Sequence, residues 1–264
     1  MNKIIKKMFF IALLALVFQN FCLLANAKIV KFIQITDVHF KSKNEIPLKE
    51  TIKEINKNHK DVDFVVFTGD NVDSADGKDY YNFLRIIKKL HKKPYIIIGN
   101  HDLSEAKSMT CENYMFLTRK ILGRYHSQNP NYTIKKGNIV FLSMNGVKEY
   151  FASSSGYFKK DELDWLDYNL KKYSNKKVVI LQHFPLVDTK YENANLWKKE
   201  DYLKILSKHK NVIAIVSGHY HENAEFSKNG IYNIITPDFK KTNCYKIIEI
   251  DDETGMITTS LINK

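Results

Sequence analysis

Cysteine is scarce in this 264-residue chain, which has only Cys22, Cys111 and Cys244. Cys22 falls in an N-terminal segment that reads as removable, which leaves two. Outside the cytoplasm two cysteines can pair, but nothing in the sequence brings Cys111 and Cys244 together. Proline (5) and glycine (10) are also few. No Pro/Gly/Ser-rich stretch, low-complexity run or internal repeat interrupts the chain, so no linker is visible and residues 28–264 read as one domain. No Gly-x-Ser-x-Gly elbow and no P-loop occurs, which argues against serine-nucleophile and P-loop chemistry. No stripe of interleaved aromatic and basic residues marks a nucleic-acid module.

What is present is ordinary globular composition, 44% hydrophobic and 27% charged, in a chain long enough to bury a sizeable core. The first 27 residues stand apart. Lys3, Lys6 and Lys7 precede an apolar run over residues 8–18, and Ala25-Asn26-Ala27 follows with small residues at the positions a signal peptidase reads. Residues 1–27 therefore read as a secretory signal, with a secreted or periplasmic destination and no membrane span after cleavage. An uncleaved anchor is the rival, but residues 8–24 are shorter than the ~20 mostly apolar residues of a spanning helix and include Gln19 and Asn20. Removing the three signal lysines from 41 basic residues leaves 38 against 29 acids, or +9. That surplus favours anionic ligands, although the lysines are spread along the chain as a solvated surface would be. Asn131-Tyr132-Thr133 is a glycosylation sequon, relevant only in a glycosylating cell.

Short apolar runs predict strands at residues 29–35, 63–68, 94–98, 139–143, 177–182 and 212–217, most of them continuously apolar as buried strands are. Between them, three-to-four spacing of apolar residues predicts helices over 46–58, 77–90, 111–123, 159–172 and 197–207. Strand-like pieces at 224–227, 231–236, 244–250 and 256–262 end the chain, with hairpin turns at Asn229-Gly230 and at residues 252–255. A βαβ-like front and an antiparallel tail suggest an α/β fold, a four-layer α/β/β/α sandwich of two mixed sheets flanked by helices.

Polar residues gather where the strands end. Asp37-Val38-His39, Gly69-Asp70, Gly99-Asn100-His101-Asp102, His183 and Gly218-His219-Tyr220-His221 each follow an apolar run. Sites in open α/β sheets form outside the carboxyl ends of strands, so five such loops should converge. The three glycines suit tight turns against a crowded site. Asp37 and His39 are two apart, as are His219 and His221; in extended backbone each pair would face one side and grip one ion. Carboxylate, imidazole and amide ligands without thiolate suit Mn, Fe, Zn, Ni or Mg. Taken singly, each block has a plain reading as a surface pair, a turn or a buried histidine. Their joint occurrence in order, each at a strand end, points to a metal centre. His59, His91, His126 and His209 sit among polar residues and read as solvated. Asp73, Asp76 and Asp238 read as turn residues.

The five blocks resemble the calcineurin-like metallophosphoesterases, whose pattern is Asp-x-His, Gly-Asp, Gly-Asn-His-Asp/Glu, a lone His and Gly-His-x-His. The resemblance spans residues 37–221, with every ligand position filled, and Pro185 after His183-Phe184 also fits. It implies two divalent metals, one held by Asp37, His39 and His221, the other by Asn100, His183 and His219, with Asp70 bridging. It implies a non-ligand role for His101 beside the leaving-group oxygen, with Asp102 orienting it or capping the next helix. Ala75 stands where the purple acid phosphatases place an iron-binding tyrosine, which argues against that branch; the bacterial cyclic-nucleotide phosphodiesterase and small phosphohydrolase branch is the better likeness. Two cations ~3.5–4 Å apart neutralise a phosphate ester and acidify a bridging water to the attacking hydroxide. The expected substrate is a phosphomonoester or phosphodiester. A nuclease of the same superfamily and a non-catalytic anion-binding protein on the same fold are the alternatives. Oligomeric state is not legible. Specificity is expected in residues 103–131, 144–158 and 186–200, which carry Tyr114, Phe116, Tyr125, Tyr150, Phe151, Tyr157, Tyr191 and Trp197, although any one of these aromatics more simply packs its loop down.

Overall fold

The computed structural model describes residues 28–150, 153–187 and 194–263. The expected signal segment, Phe151 and Tyr191 lie outside the described residues. In chain order the elements begin β1 (Ile29–Ile35), α1 (Ile46–Asn58), β2 (Phe64–Thr68), α2 (Gly77–Ile87), β3 (Pro94–Ile97) and α3 (Cys111–Leu122). Next come β4 (Thr133–Lys136), β5 (Ile139–Ser143), α4 (Lys160–Lys172), β6 (Lys177–Leu181), α5 (Glu200–Lys208) and β7 (Val212–Ser217). The chain finishes with β8 (Ala224–Lys228), β9 (Ile231–Ile235), α6 (Phe239–Thr242), β10 (Tyr245–Asp251) and β11 (Ile257–Ile262).

The strands form two mixed sheets, ordered β11-β10-β1-β2-β3 and β4-β5-β6-β7-β9-β8. In the first, β1, β2 and β3 are parallel, while β10 runs antiparallel to β1 and β11. In the second, β5, β6, β7 and β9 are parallel, with β4 and β8 antiparallel at the edges. The two-residue side-chain period of a strand divides each run between two layers. Val30, Phe32, Phe64 and Val66 meet Phe141, Val179, Leu181 and Val216 between the sheets. The alternate residues Ile33, Ile35, Val65 and Phe67 pack with Leu48, Ile52, Tyr80 and Phe83 of the helices. Val140, Leu142, Val178 and Ile180 do the same with Leu166, Leu170 and Leu206. This is the expected four-layer sandwich.

Local chemistry sets the helix ends. Pro47 sits in the first turn of α1, where a missing N–H costs nothing. Asp76, expected as a turn residue, caps α2 by accepting from the Asp79 amide at 2.8 Å. The predicted helix over 197–207 starts only at Glu200, and the one over 77–90 stops at Ile87. Two elements were not anticipated. β4 is a polar edge strand in which only Ile134 is buried, too little for a period to show. The four-residue α6 is below the length at which periodicity exists.

The histidines expected to be solvated are only partly so. His91 is exposed. His59 Nε2 lies 2.7 Å from the Tyr245 hydroxyl, and His209 Nε2 2.8 Å from Asp167 Oδ1. His126 is buried, and burial together with Lys93 holds its pKa down at about 4. Cys111 and Cys244 are both free thiols.

Phe64 is fully buried at the centre of the inter-sheet layer, stacked on Phe32 at 4.9 Å and edge-on to Phe141 at 5.1 Å. Phe64→Ala is expected to destabilise the fold by about 3–5 kcal/mol, read as a lower urea midpoint with an unchanged slope.

Candidate metal centre

β1, β2 and β3 of one sheet and β6 and β7 of the other deliver their following loops to one edge of the sandwich. The backbone there is not the extended chain that the two-residue spacings suggest. Asp37, His39, Asp70, His219 and His221 all have φ between 44° and 69°. This left-handed region is uncommon outside glycine, and Asp and His are among the residues that tolerate it best. The paired residues therefore gather through consecutive tight turns. Main-chain bonds brace them: the Asp37 amide donates to Gly69 O at 3.0 Å and the His39 amide to Asp70 O at 2.8 Å.

The residues singled out by sequence meet. Asp37, His39 and His221 form one group, and Asp70, His183 and His219 another, with the candidate ligand atoms of each group within 4.8 Å of one another. Asp70 lies between the groups. Its Oδ1 is 3.4 Å from His183 Nε2 and its Oδ2 3.6 Å from His39 Nε2. Asn100 Oδ1 joins the second group, 3.2 Å from His183 Nε2. His183 Nδ1 donates to Thr68 O at 2.8 Å, which turns Nε2 towards Asp70 and Asn100. His219 Nε2 donates to Ala194 O at 3.0 Å, leaving Nδ1 for the centre. Asp37 Oδ2 accepts from the Thr36 hydroxyl and the His219 amide, at 2.7 and 2.9 Å, and Asp37 Oδ1 faces His221 Nε2 at 3.2 Å.

The electrostatics are those of a cation site. Burial works against the charge of Asp37 and Asp70, yet His183 together with the other imidazoles around them outweighs it, and both carboxylates stay below their usual range. His183, although fully buried, is pushed up to about 9 by Asp70 and Asp37. His219 is held down at about 4 by burial and by His183. His39 is buried, and neither ring nitrogen has a hydrogen-bond partner, although the carboxylates of Asp37, Asp70 and Asp73 lie within 4.0 Å. A buried imidazole left unsatisfied among three anions is the arrangement a metal ligand requires. The donor set therefore fits divalent metal.

Asp102 proves different from expectation. Its carboxylate accepts from the Gly99 amide at 2.8 Å, the Val72 amide at 3.0 Å and Asn71 Nδ2 at 2.9 Å. It ties two site loops together rather than touching the His101 ring or capping a helix. Burial, with the charge of Asp70, raises its pKa to about 7. The His101 ring is oriented by Asp73 instead, with Nδ1 2.8 Å from the Asp73 carbonyl. Asp73, passed over as a turn residue, also holds Lys41 at 2.6 Å and Lys240 at 2.7 Å, and they keep its pKa at about 2 although burial opposes them. The Gly-Asp-x-x-Asp spacing was the available signal. His101 is half exposed and its Nε2 is 3.9 Å from Asp70 Oδ2. It also lies within ligand distance of His39 and Asp70. Of the loop aromatics, Tyr114 is core: it is fully buried, stacks on Tyr80 and accepts from Asn71 Nδ2. Phe116, Tyr125, Tyr150 and Trp197 are exposed.

Parallel strands from two facing sheets, ending in a buried Asp/His cluster, define a metal-binding α/β sandwich of the hydrolase kind. The calcineurin-like phosphoesterase family model matches residues 30–223, and the chain belongs to that family, whose members hydrolyse phosphoester bonds. It is 27% identical to a protein of Arcobacter nitrofigilis named as a probable glycerophosphodiester phosphodiesterase, over 72% of this chain and 71% of the relative. It is 24% identical to the 3',5'-cyclic adenosine monophosphate phosphodiesterase of Haemophilus influenzae, over 81% and 77%. Its fold is similar to that of a dimetal phosphatase from Danio rerio, with a TM-score of 0.63 and 15% identity over 89% of this chain and 98% of that one.

Gly218 shows how tightly the centre is built. A Cβ there would lie 1.9 Å from Thr36 Oγ1 and 2.4 Å from Asp37 Oδ2, so Asp37 would have to move. Gly218→Ala is expected to lower bound metal and activity together, at least tenfold, as measured by metal analysis and turnover of a chromogenic phosphate ester.

Proposed function

We propose that this protein is an exported phosphodiesterase whose centre holds two divalent metal ions. The observation that carries this reading is the position of Asp70, buried between two ligand groups and within 3.6 Å of an imidazole from each. Asp37, His39 and His221 hold one ion; Asn100, His183 and His219 hold the other; Asp70 serves both. When bound, the pair supplies neutralisation of the phosphate oxygens and an acidified water for in-line attack. Mn, Fe, Zn, Ni and Mg all accept this donor set.

The chain's own groups do the rest. A carbonyl oxygen can only accept, so the Asp73 carbonyl fixes the His101 proton on Nδ1 and turns Nε2 towards the site. In its imidazolium form His101 also carries a proton on Nε2, placed for transfer to the departing alkoxide. Asp102 holds the Asp70 and His101 loops in register. Lys41 and Lys240 lie beside this side of the centre, and two ammoniums on one carboxylate leave positive charge for an anionic substrate. The activities for which the relatives are named support diesters over monoesters. The basic, apolar and Ala-Asn-Ala segments of residues 1–27 support export. No helix of the described residues is long and apolar enough to cross a membrane.

The test uses protein stripped of metal and reloaded with Mn, comparing p-nitrophenyl phosphate with bis-p-nitrophenyl phosphate. Faster metal-dependent turnover of the diester is expected. No turnover of either across Mn, Fe, Zn, Ni and Mg would replace the enzyme reading with that of an anion-binding protein. Asp70→Ala is expected to lose metal and activity together. His101→Ala is expected to keep its metal while kcat falls about 10²–10⁴-fold; loss of metal would make His101 a ligand.

A further inference from the structure

Beside the metal centre lies a smaller pocket of about 120 Å³, in whose wall His39 stands with Lys41, Lys43, Asn44, Lys240 and Asn243. No acidic residue lines it. Its three ammoniums share one carboxylate. Asp73 pairs with Lys41 and Lys240, at 2.6 and 2.7 Å, and Lys43 has no ion pair among the described residues. Three positive charges against one negative leave two uncompensated. Asn44 and Asn243 carry no side-chain hydrogen bond among the described residues, so their amides are uncommitted. The walls are fixed relative to the centre. On one side the Phe40 amide donates to Asn71 O at 3.0 Å. On the other the amides of Phe239 and Lys240 donate to Thr36 O and Asp37 O, at 3.0 and 3.2 Å, which seats α6 on the first site block. Asp73 links the pocket to the chemistry, since its carbonyl lies 2.8 Å from His101 Nδ1. The His39 and His101 rings are 4.7 Å apart. The pocket is thus on the His101 side of the centre, where the departing oxygen sits.

We propose that this pocket is a subsite for a second anionic group, a carboxylate or phosphate, carried on the departing alcohol of the substrate. This rests on the phosphodiesterase reading and on His101 as the proton donor. The cavity has the volume of about four waters, well below the ~300–1,000 Å³ of a site for a drug-sized ligand. It takes one small head group rather than a nucleoside. Ammonium and amide N–H groups are the donors that carboxylate and phosphate oxygens need. Anchoring this remote group holds the scissile ester in register with the metals and His101. A neutral alcohol leaves the lysines uncompensated, so the pocket selects substrates by charge.

The experiment uses Mn-loaded protein with methyl meta-carboxyphenyl phosphate and its neutral isostere, methyl meta-carbamoylphenyl phosphate. The parent's KM for the carboxylate is expected to be about tenfold lower, the worth of one charge-assisted hydrogen bond. That advantage should vanish near 1 M salt, where the Debye length is about 3 Å. Lys43 is the residue to change, because it is exposed and has no partner to disturb, whereas Lys41 and Lys240 hold Asp73. Lys43→Gln is expected to lower the carboxylate-to-carboxamide ratio of kcat/KM about fivefold, and Lys43→Glu further. Comparing ratios between parent and variant cancels the intrinsic difference between the two phenols. Equal KM values in the parent, or a ratio unaltered in both variants, would overturn the proposal. So would an unaltered ratio with weaker inhibition by inorganic phosphate in Lys43→Gln, which assigns the pocket to a free anion. Absence of metal-dependent turnover of either ester by the parent would instead overturn the phosphodiesterase reading, and this inference with it.

Discussion

The molecule is organised around the repulsion between two carboxylates, Asp37 and Asp70, buried side by side at the edge of a sandwich. The charge of Asp70 opposes the ionisation of Asp37, and burial penalises both. The protein answers with fixed donors on one oxygen of each: the Thr36 hydroxyl and His219 amide on Asp37, the His101 amide on Asp70. Asp70 Oδ2 is turned towards the His39 and His101 imidazoles at distances too long for a good hydrogen bond, and Asp37 Oδ1 meets His221 Nε2 at 3.2 Å. Such a centre has been built for more positive charge than the chain itself supplies. In the metal-free state a proton on His183 partly fills that role, which is why that histidine is so basic despite its burial.

Holding like charges together demands a rigid frame, and the backbone carries the strain. Left-handed conformations at five ligand-type residues are sparsely populated states that survive because the surroundings over-determine them. Beneath them lies a buried polar bridge between the sheets. Gln34 donates to the Thr68 hydroxyl at 2.8 Å and to Ser217 O at 2.9 Å, and accepts from the Thr236 hydroxyl at 2.6 Å. Three strand ends are thereby locked to β1 just below the loops, where an apolar core would have allowed sliding.

Much of this was legible in the sequence because the physics is local. Apolar strands buried on both faces read as continuous runs, and a ligand immediately after each run needs no tertiary information to be noticed. The misreadings share the opposite property. The spacing of Asp37 and His39 suggested an extended pair, since only the turns that receive them reveal the left-handed backbone. Asp102 was assigned to its neighbour in sequence, whereas its carboxylate serves Val72 and Asn71 some thirty residues away. Asp73 passed for a turn because its partner Lys240 is 167 positions distant.

Each candidate ligand group draws on both sheets: Asp37 and His39 from the first with His221 from the second, Asp70 from the first with His183 and His219 from the second. An ion in either group is therefore a clasp across the layers. It resists their splaying at the one edge where the greasy interior gives way to solvent. Occupancy and the mechanical integrity of the sandwich become a single property, and a half-assembled chain owns neither ion-binding half in full.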